Sequence, residues 1–172
     1  MGQLSSSLLS SEDGDWDGSY HGLHTQYSEV TLKNMNISVG ENHGTALRIL
    51  GGNLSVLGEL NLTHEAQWAD TTSIGLQMIW SYMIGESVNI GGFSTGVSCE
   101  TTSTVDIDYL SILDNTDIGY FQACSESQID VLTTNSGDYG LYSKTGLISI
   151  TDWTASSPVS YTHLTLPTIL RV

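Results

Sequence analysis

Apolar residues along this chain come in alternating pairs, and successive pairs are separated by a two-residue step. Val30, Leu32, Met35 and Ile37 follow this rule, as do Val105, Ile107, Leu110 and Ile112, and again Ile148, Ile150, Trp153 and Ala155. Period-two alternation buries one face of a strand. A two-residue break between two such pairs therefore predicts two short strands meeting at a corner. A third short strand follows a glycine or alanine start: Leu47 and Ile49, Leu76 and Met78, Val97 and Cys99. No segment carries a helical period.

These units repeat. "GLHTQYSEVTLKNMNI" from Gly22 and "GLQMIWSYMIGESVNI" from Gly75 align over 16 residues without a gap. Further units begin at Ala46, Gly96, Gly119 and Gly140, and the starts at 75, 96, 119 and 140 lie 21 to 23 residues apart. Between Ala46 and Gly75 the spacing is 29, with the extra length expected in "THEAQWADTTS". One unit cannot bury its own apolar face, but units stacked at about 4.8 Å bury a continuous column. A β-sandwich also repeats short strands; the ungapped match favours a solenoid. The expected fold is all-β, a right-handed parallel β-helix of about six rungs with three short strands per rung. On this repeat the chain resembles the parallel β-helix family of pectate lyases, polygalacturonases and many surface and adhesin proteins, over Ser19 to Ser157.

Composition narrows the partners. With 4 basic against 19 acidic residues the net charge is −15, which opposes binding to nucleic acid phosphates. No apolar run approaches the roughly 20 residues that span a bilayer. Three segments are expected: an acidic leader over 1–18, the solenoid over 19–158, and a different tail over 159–172. That tail has no acidic residue, and "VSYTHLTLPT" resembles a translated sequencing adaptor. On that reading the native chain is a fragment whose rungs continue into sequence not present here, and no secretory signal is visible at its start.

Candidate chemistry is sparse. The outward position between the last two apolar residues of each unit is uniformly polar (Asn36, Asn61, Asn89, Ser111, Asn135, Thr154), which predicts a ladder of stacked side-chain amides. Asn36, Asn53 and Asn61 also lie in glycosylation sequons. Asp106 and Asp108 share one strand face, and Asp130 is expected level with Asp106 one rung on. The family resemblance implies general acid, general base or calcium-ligand roles for such acidic groups; otherwise they form a solvated acidic face. The Gly-His-Gly and Arg-x-Lys segments of polygalacturonases are absent, and no basic side chain maps beside the trio. "DGDWDG" offers Asp13, Asp15 and Asp17 as half a calcium loop, but the twelfth position is His24 rather than a bidentate Glu. Cys99 is expected to face the core and Cys124 to fall one step off that register, which favours two separate thiols. His21, His24, His43 and His64 have no zinc spacing and are expected at the surface. Trp80 and Tyr82 suit a sugar-stacking platform, although this alternation more often buries aromatic residues.

Two functions follow as expectations. The first is a non-catalytic secreted or cell-surface module, an adhesin, stalk or surface contacting polysaccharide or cell-surface glycan. The alternative is a polysaccharide lyase or glycoside hydrolase acting on acidic polysaccharide through Asp106, Asp108 and Asp130, with calcium as the implied ion.

Overall fold

The computed structural model of the chain describes residues 20–40, 44–65 and 72–156. The acidic leader with Asp13, Asp15 and Asp17, the adaptor-like tail and His43 lie outside these residues.

Twelve strands alternate between a short and a long type: β1 (Tyr20–Gln26), β2 (Glu29–Val39), β3 (Gly44–Leu50), β4 (Asn53–His64), β5 (Ile74–Ile79), β6 (Tyr82–Gly91), β7 (Thr95–Glu100), β8 (Thr104–Asn115), β9 (Ile118–Ala123), β10 (Glu126–Ser136), β11 (Tyr139–Ser143) and β12 (Leu147–Ala155). The odd-numbered strands form one parallel sheet in the order β1-β3-β5-β7-β9-β11, and the even-numbered strands form the other, β12-β10-β8-β6-β4-β2. Each short strand and the long strand after it make one rung, so the fold is a parallel β-solenoid of about six rungs. The two strands expected to meet at a corner run on as one long strand, bent where the alternation breaks. In β8 the inward residues Val105, Ile107, Leu110 and Ile112 are buried, while Asp108 and Tyr109, side by side at the break, are exposed.

Register makes the core. Val30, Leu54, Met83 and Val105 are successive partners, as are Leu60, Val88, Leu110, Leu132 and Trp153. On the facing sheet Leu23, Leu47, Leu76 and Val97 align in the same way. Each fully buried leucine contributes about 1.5–3 kcal/mol relative to exposure. That gain exists only because a neighbouring rung covers each face.

The glycine that starts five of the six units has a steric cause. A Cβ at Gly22 would sit 2.7 Å from the Ala46 carbonyl oxygen, at Gly75 2.6 Å from that of Gly96, and at Gly96 2.6 Å from that of Gly119. At these glycines the short sheet passes too close to the rung above for a side chain, whereas at Ala46 a methyl is accommodated. At the corners of the first two long strands, Asn34 and Gly58 adopt left-handed backbone (φ 51° and 97°) where the register slips. The donors this frees are recovered by side chains: Gly58 N donates to Glu86 Oε2 at 3.0 Å and Glu59 N to Asn34 Oδ1 at 3.2 Å.

Three expectations are corrected. Cys99 and Cys124 form a disulfide, with Cα atoms 5.4 Å apart. Cys99 is level with Gln122, so Cys124 lies two residues beyond that register rather than one, and the even step returns its side chain to the interior. The amide ladder runs Asn36, Asn61, Asn89, Ser111, Thr133 and Thr154; Asn135 is level with Leu113 instead. His64 is buried edge-on against Phe93, and His21 and His24 are half-buried. Polar side chains also enter the core of the fifth rung. Tyr120 bonds Ser127 (2.7 Å), whose hydroxyl donates to Gln122 Oε1 at 2.6 Å, so this buried set satisfies itself beside the disulfide. Burial pushes the Tyr120 phenol well above its usual value.

Candidate functional site

The acidic candidates sit on the outer face of the long sheet and its corner. Asp106 is half-buried, and Asp108 and Asp130 are exposed. Ile129 pairs with Ile107 and Val131 with Tyr109, so Asp130 is level with Asp108. The residue beside Asp106 on that rung is Gln128, which corrects the expected Asp106–Asp130 pairing. The inward residue level with Val105 is the polar Ser127, so the apolar pattern of β10 begins one inward position late, at Ile129, and Asp130 falls two positions from Asp106. Glu86 is level with Asp108 on the other side, since Gly85 pairs with Ile107 and Ser87 with Tyr109. Glu86, Asp108 and Asp130 therefore line one edge at about 4.8 Å intervals. The basic residue at this corner, Lys33 on β2, is three strands from Asp108. Among the described residues no group of three or more His, Cys, Asp or Glu is arranged to hold a metal ion. As placed, these carboxylates form an acidic edge facing solvent.

A second surface stands where the short sheet turns into the long one. Tyr27, Gly51, Trp80 and Thr101 stack there in successive rungs, tied by Tyr27 N donating to Leu50 O (2.9 Å), Gly51 N to Ile79 O (2.8 Å) and Trp80 N to Thr101 Oγ1 (3.0 Å). All four have left-handed backbone, with φ between 48° and 60°. Glycine adopts this freely, whereas a bulky side chain does so at a cost of about 1–3 kcal/mol. Burial does not offset that cost here, because Tyr27 is 72% exposed and Trp80 56%. The Tyr27 ring lies across Gly51, where an added Cβ would meet its Cδ1 at 2.7 Å. The outward side chains Tyr82 and Ile84 of β6 extend the strip, at 39% and 44% exposure.

Trp80 and Tyr82 are thus outside the core, contrary to the expectation that their alternation buries them. The turn inserts an extra residue after Met78, so the inward phase resumes at Ser81, Met83 and Gly85. Tyr27 and Ile84 were missed altogether. One signal for Tyr27 was present: in the ungapped match of the two units it occupies the position of Trp80.

The amides of the ladder occupy each other. Asn61 Nδ2 donates to Asn36 Oδ1 at 2.7 Å, and Asn89 Nδ2 donates to Asn61 Oδ1 and Glu59 Oε1, both at 2.9 Å. This row pins the register along the axis. Comparison with protein-family models, curated proteins and solved structures gives no match.

Proposed function

We propose that this chain is a non-catalytic, secreted or cell-surface β-helix module, an adhesin- or stalk-like element that contacts glycans. The observation that carries the reading is the exposed strip of the aromatic Tyr27, Trp80 and Tyr82, extended by Ile84. Aromatic faces stack on the C–H faces of sugar rings, while nearby amides and hydroxyls meet sugar hydroxyls, and Asn53 and Thr104 flank Tyr82 on either side. The Cys99–Cys124 disulfide supports an oxidising, extracellular compartment. The parallel β-solenoid architecture adds support at the level of fold alone. The test is retention of the intact protein on an array of plant, microbial and animal glycans. Retention on at least one class is expected, and none on any class defeats the reading.

A second reading, a polysaccharide lyase or glycoside hydrolase acting on acidic polysaccharide, is favoured by Asp108 and Asp130 lying level on adjacent strands, with Asp106 on the same face. Calcium held by these carboxylates, or by Asp13, Asp15 and Asp17, would draw an anionic substrate to the face. Incubation with polygalacturonate and calcium tests it. New reducing ends or unsaturated products, abolished by Asp108→Asn, would establish the enzyme reading and displace the first.

A further inference from the structure

From its surroundings, we infer that the aromatic corner takes an uncharged polysaccharide strand, with Trp80 and Tyr27 as its stacking surfaces; this rests on the glycan-contact reading. Three columns of outward residues make the corner and the adjoining face. They are headed by Tyr27, Glu29 and Thr31 and run across the rungs through Trp80, Tyr82 and Ile84. Among the described residues, no Lys, Arg or His stands in any of them. The charged groups present are acidic: Glu29 and Glu126, each two strands from Tyr82 on opposite sides, and Asp106 directly beside Ile84. Glu100, level with Ile79, adjoins Trp80 from the next rung. A uronate or sulfated chain laid here would place anions against these carboxylates, with no cation in the three columns to receive them. The chain as a whole, at −15, repels such polymers further.

An uncharged chain meets no such penalty. Asn53, in the rung between Tyr27 and Trp80, offers an amide that both donates and accepts, suited to vicinal hydroxyls. Retention of two large rings at strained, exposed positions is then explained by what they touch outside the protein. At the equivalent position of the rung between them the chain uses glycine, the residue the backbone prefers.

The strain supplies a clean test. Trp80→Gly and Tyr27→Gly remove the rings while relieving the left-handed backbone, so both variants are expected to fold with melting temperatures near the parent's. Affinity electrophoresis of the full chain compares gels containing a soluble neutral β-glucan or galactomannan with gels containing polygalacturonate or a sulfated glycan. The expected result is retardation of the parent by a neutral polymer only, with affinity lowered about tenfold or more in each variant. Retardation only by the charged polymers would overturn the ligand class while leaving glycan contact standing. Equal retardation of parent and variants by the neutral polymer would overturn the site. Retardation by neither, together with success of the charged arm of a glycan array, would again sink only this inference, whereas failure on every array glycan would remove the underlying reading too. Sedimentation covers the remaining occupant: a parent dimer that Trp80→Gly converts to monomer would assign the strip to a second copy instead.

Discussion

Breaking the Cys99–Cys124 link should cost the solenoid a large share of its stability. The two residues are 25 apart in sequence, and closing a loop of that length removes about 3.5 kcal/mol of chain entropy from the unfolded state. A typical domain has a net stability of only about 5–15 kcal/mol. The bridge joins the end of β9 to β7 on the adjacent rung, and both sulfurs are buried, so reductant reaches them only through unfolding. Urea titrations followed by tryptophan fluorescence, run oxidised and after reduction in denaturant, isolate the effect without changing a side chain. The oxidised form should be more stable by about 3–4 kcal/mol, and the Cys99→Ala/Cys124→Ala variant should behave like the reduced form. Two reactive thiols in the denatured, unreduced protein would refute the reasoning, as would stabilities that agree within about 1 kcal/mol.

Other consequences are equally open to measurement. Gly96→Ala should destabilise by about 1–3 kcal/mol in urea, because its Cβ would press 2.6 Å from the Gly119 carbonyl oxygen; an unchanged midpoint would mean the sheets can part there. Asn61→Ala severs two ladder bonds at once and should cost about 1–2 kcal/mol, whereas Thr31→Ala, on an exposed outward position of β2, should stay within about 0.5 kcal/mol. Asp117 is raised above the usual carboxylate value by burial and by the charge of Asp138, so the native state holds its proton more tightly than the unfolded chain. Stability from this group is therefore complete below the ordinary carboxylate range and is lost as pH rises through the raised value. Asp117→Asn should accordingly stabilise the protein at neutral pH and match the parent in acid, and a gain of equal size at both would contradict the assignment.

Much of this architecture could be read from the residues alone, because a solenoid writes the same physical demand once per rung. The inward columns through Leu54, Met83 and Val105, and through Leu47, Leu76 and Val97, were visible as alternation. The leading glycines were visible as a repeat, although their cause, contact with the carbonyl of the rung above, needed three dimensions. What failed was the counting of inward and outward phase within single rungs. In β10 the inward residue level with Val105 is the polar Ser127, so the apolar pattern reads two residues late, placing Asp130 level with Asp106 rather than Asp108 and Asn135 in the ladder in place of Thr133. One miscounted residue also separated Cys124 from Cys99. The aromatic corner was hidden for the same reason: an extra residue in the turn switches phase between Met78 and Met83, and the hydrophobicity of Trp80 and Tyr82 then points the wrong way. Side chains such as Gln122 and Ser127 broke the apolar pattern without breaking the fold, since each satisfies the other inside it.

The central claim is that the corner carrying Tyr27 and Trp80, and not the acidic edge, is the contact surface. Hydrogen–deuterium exchange of the full chain, with and without a soluble neutral glucan, tests it most directly. The account predicts slowed exchange confined to residues 26–28, 51–53 and 79–84 of neighbouring rungs. Protection centred on Asp108 and Asp130, or spread along the Asn36–Asn61–Asn89 ladder, would contradict it.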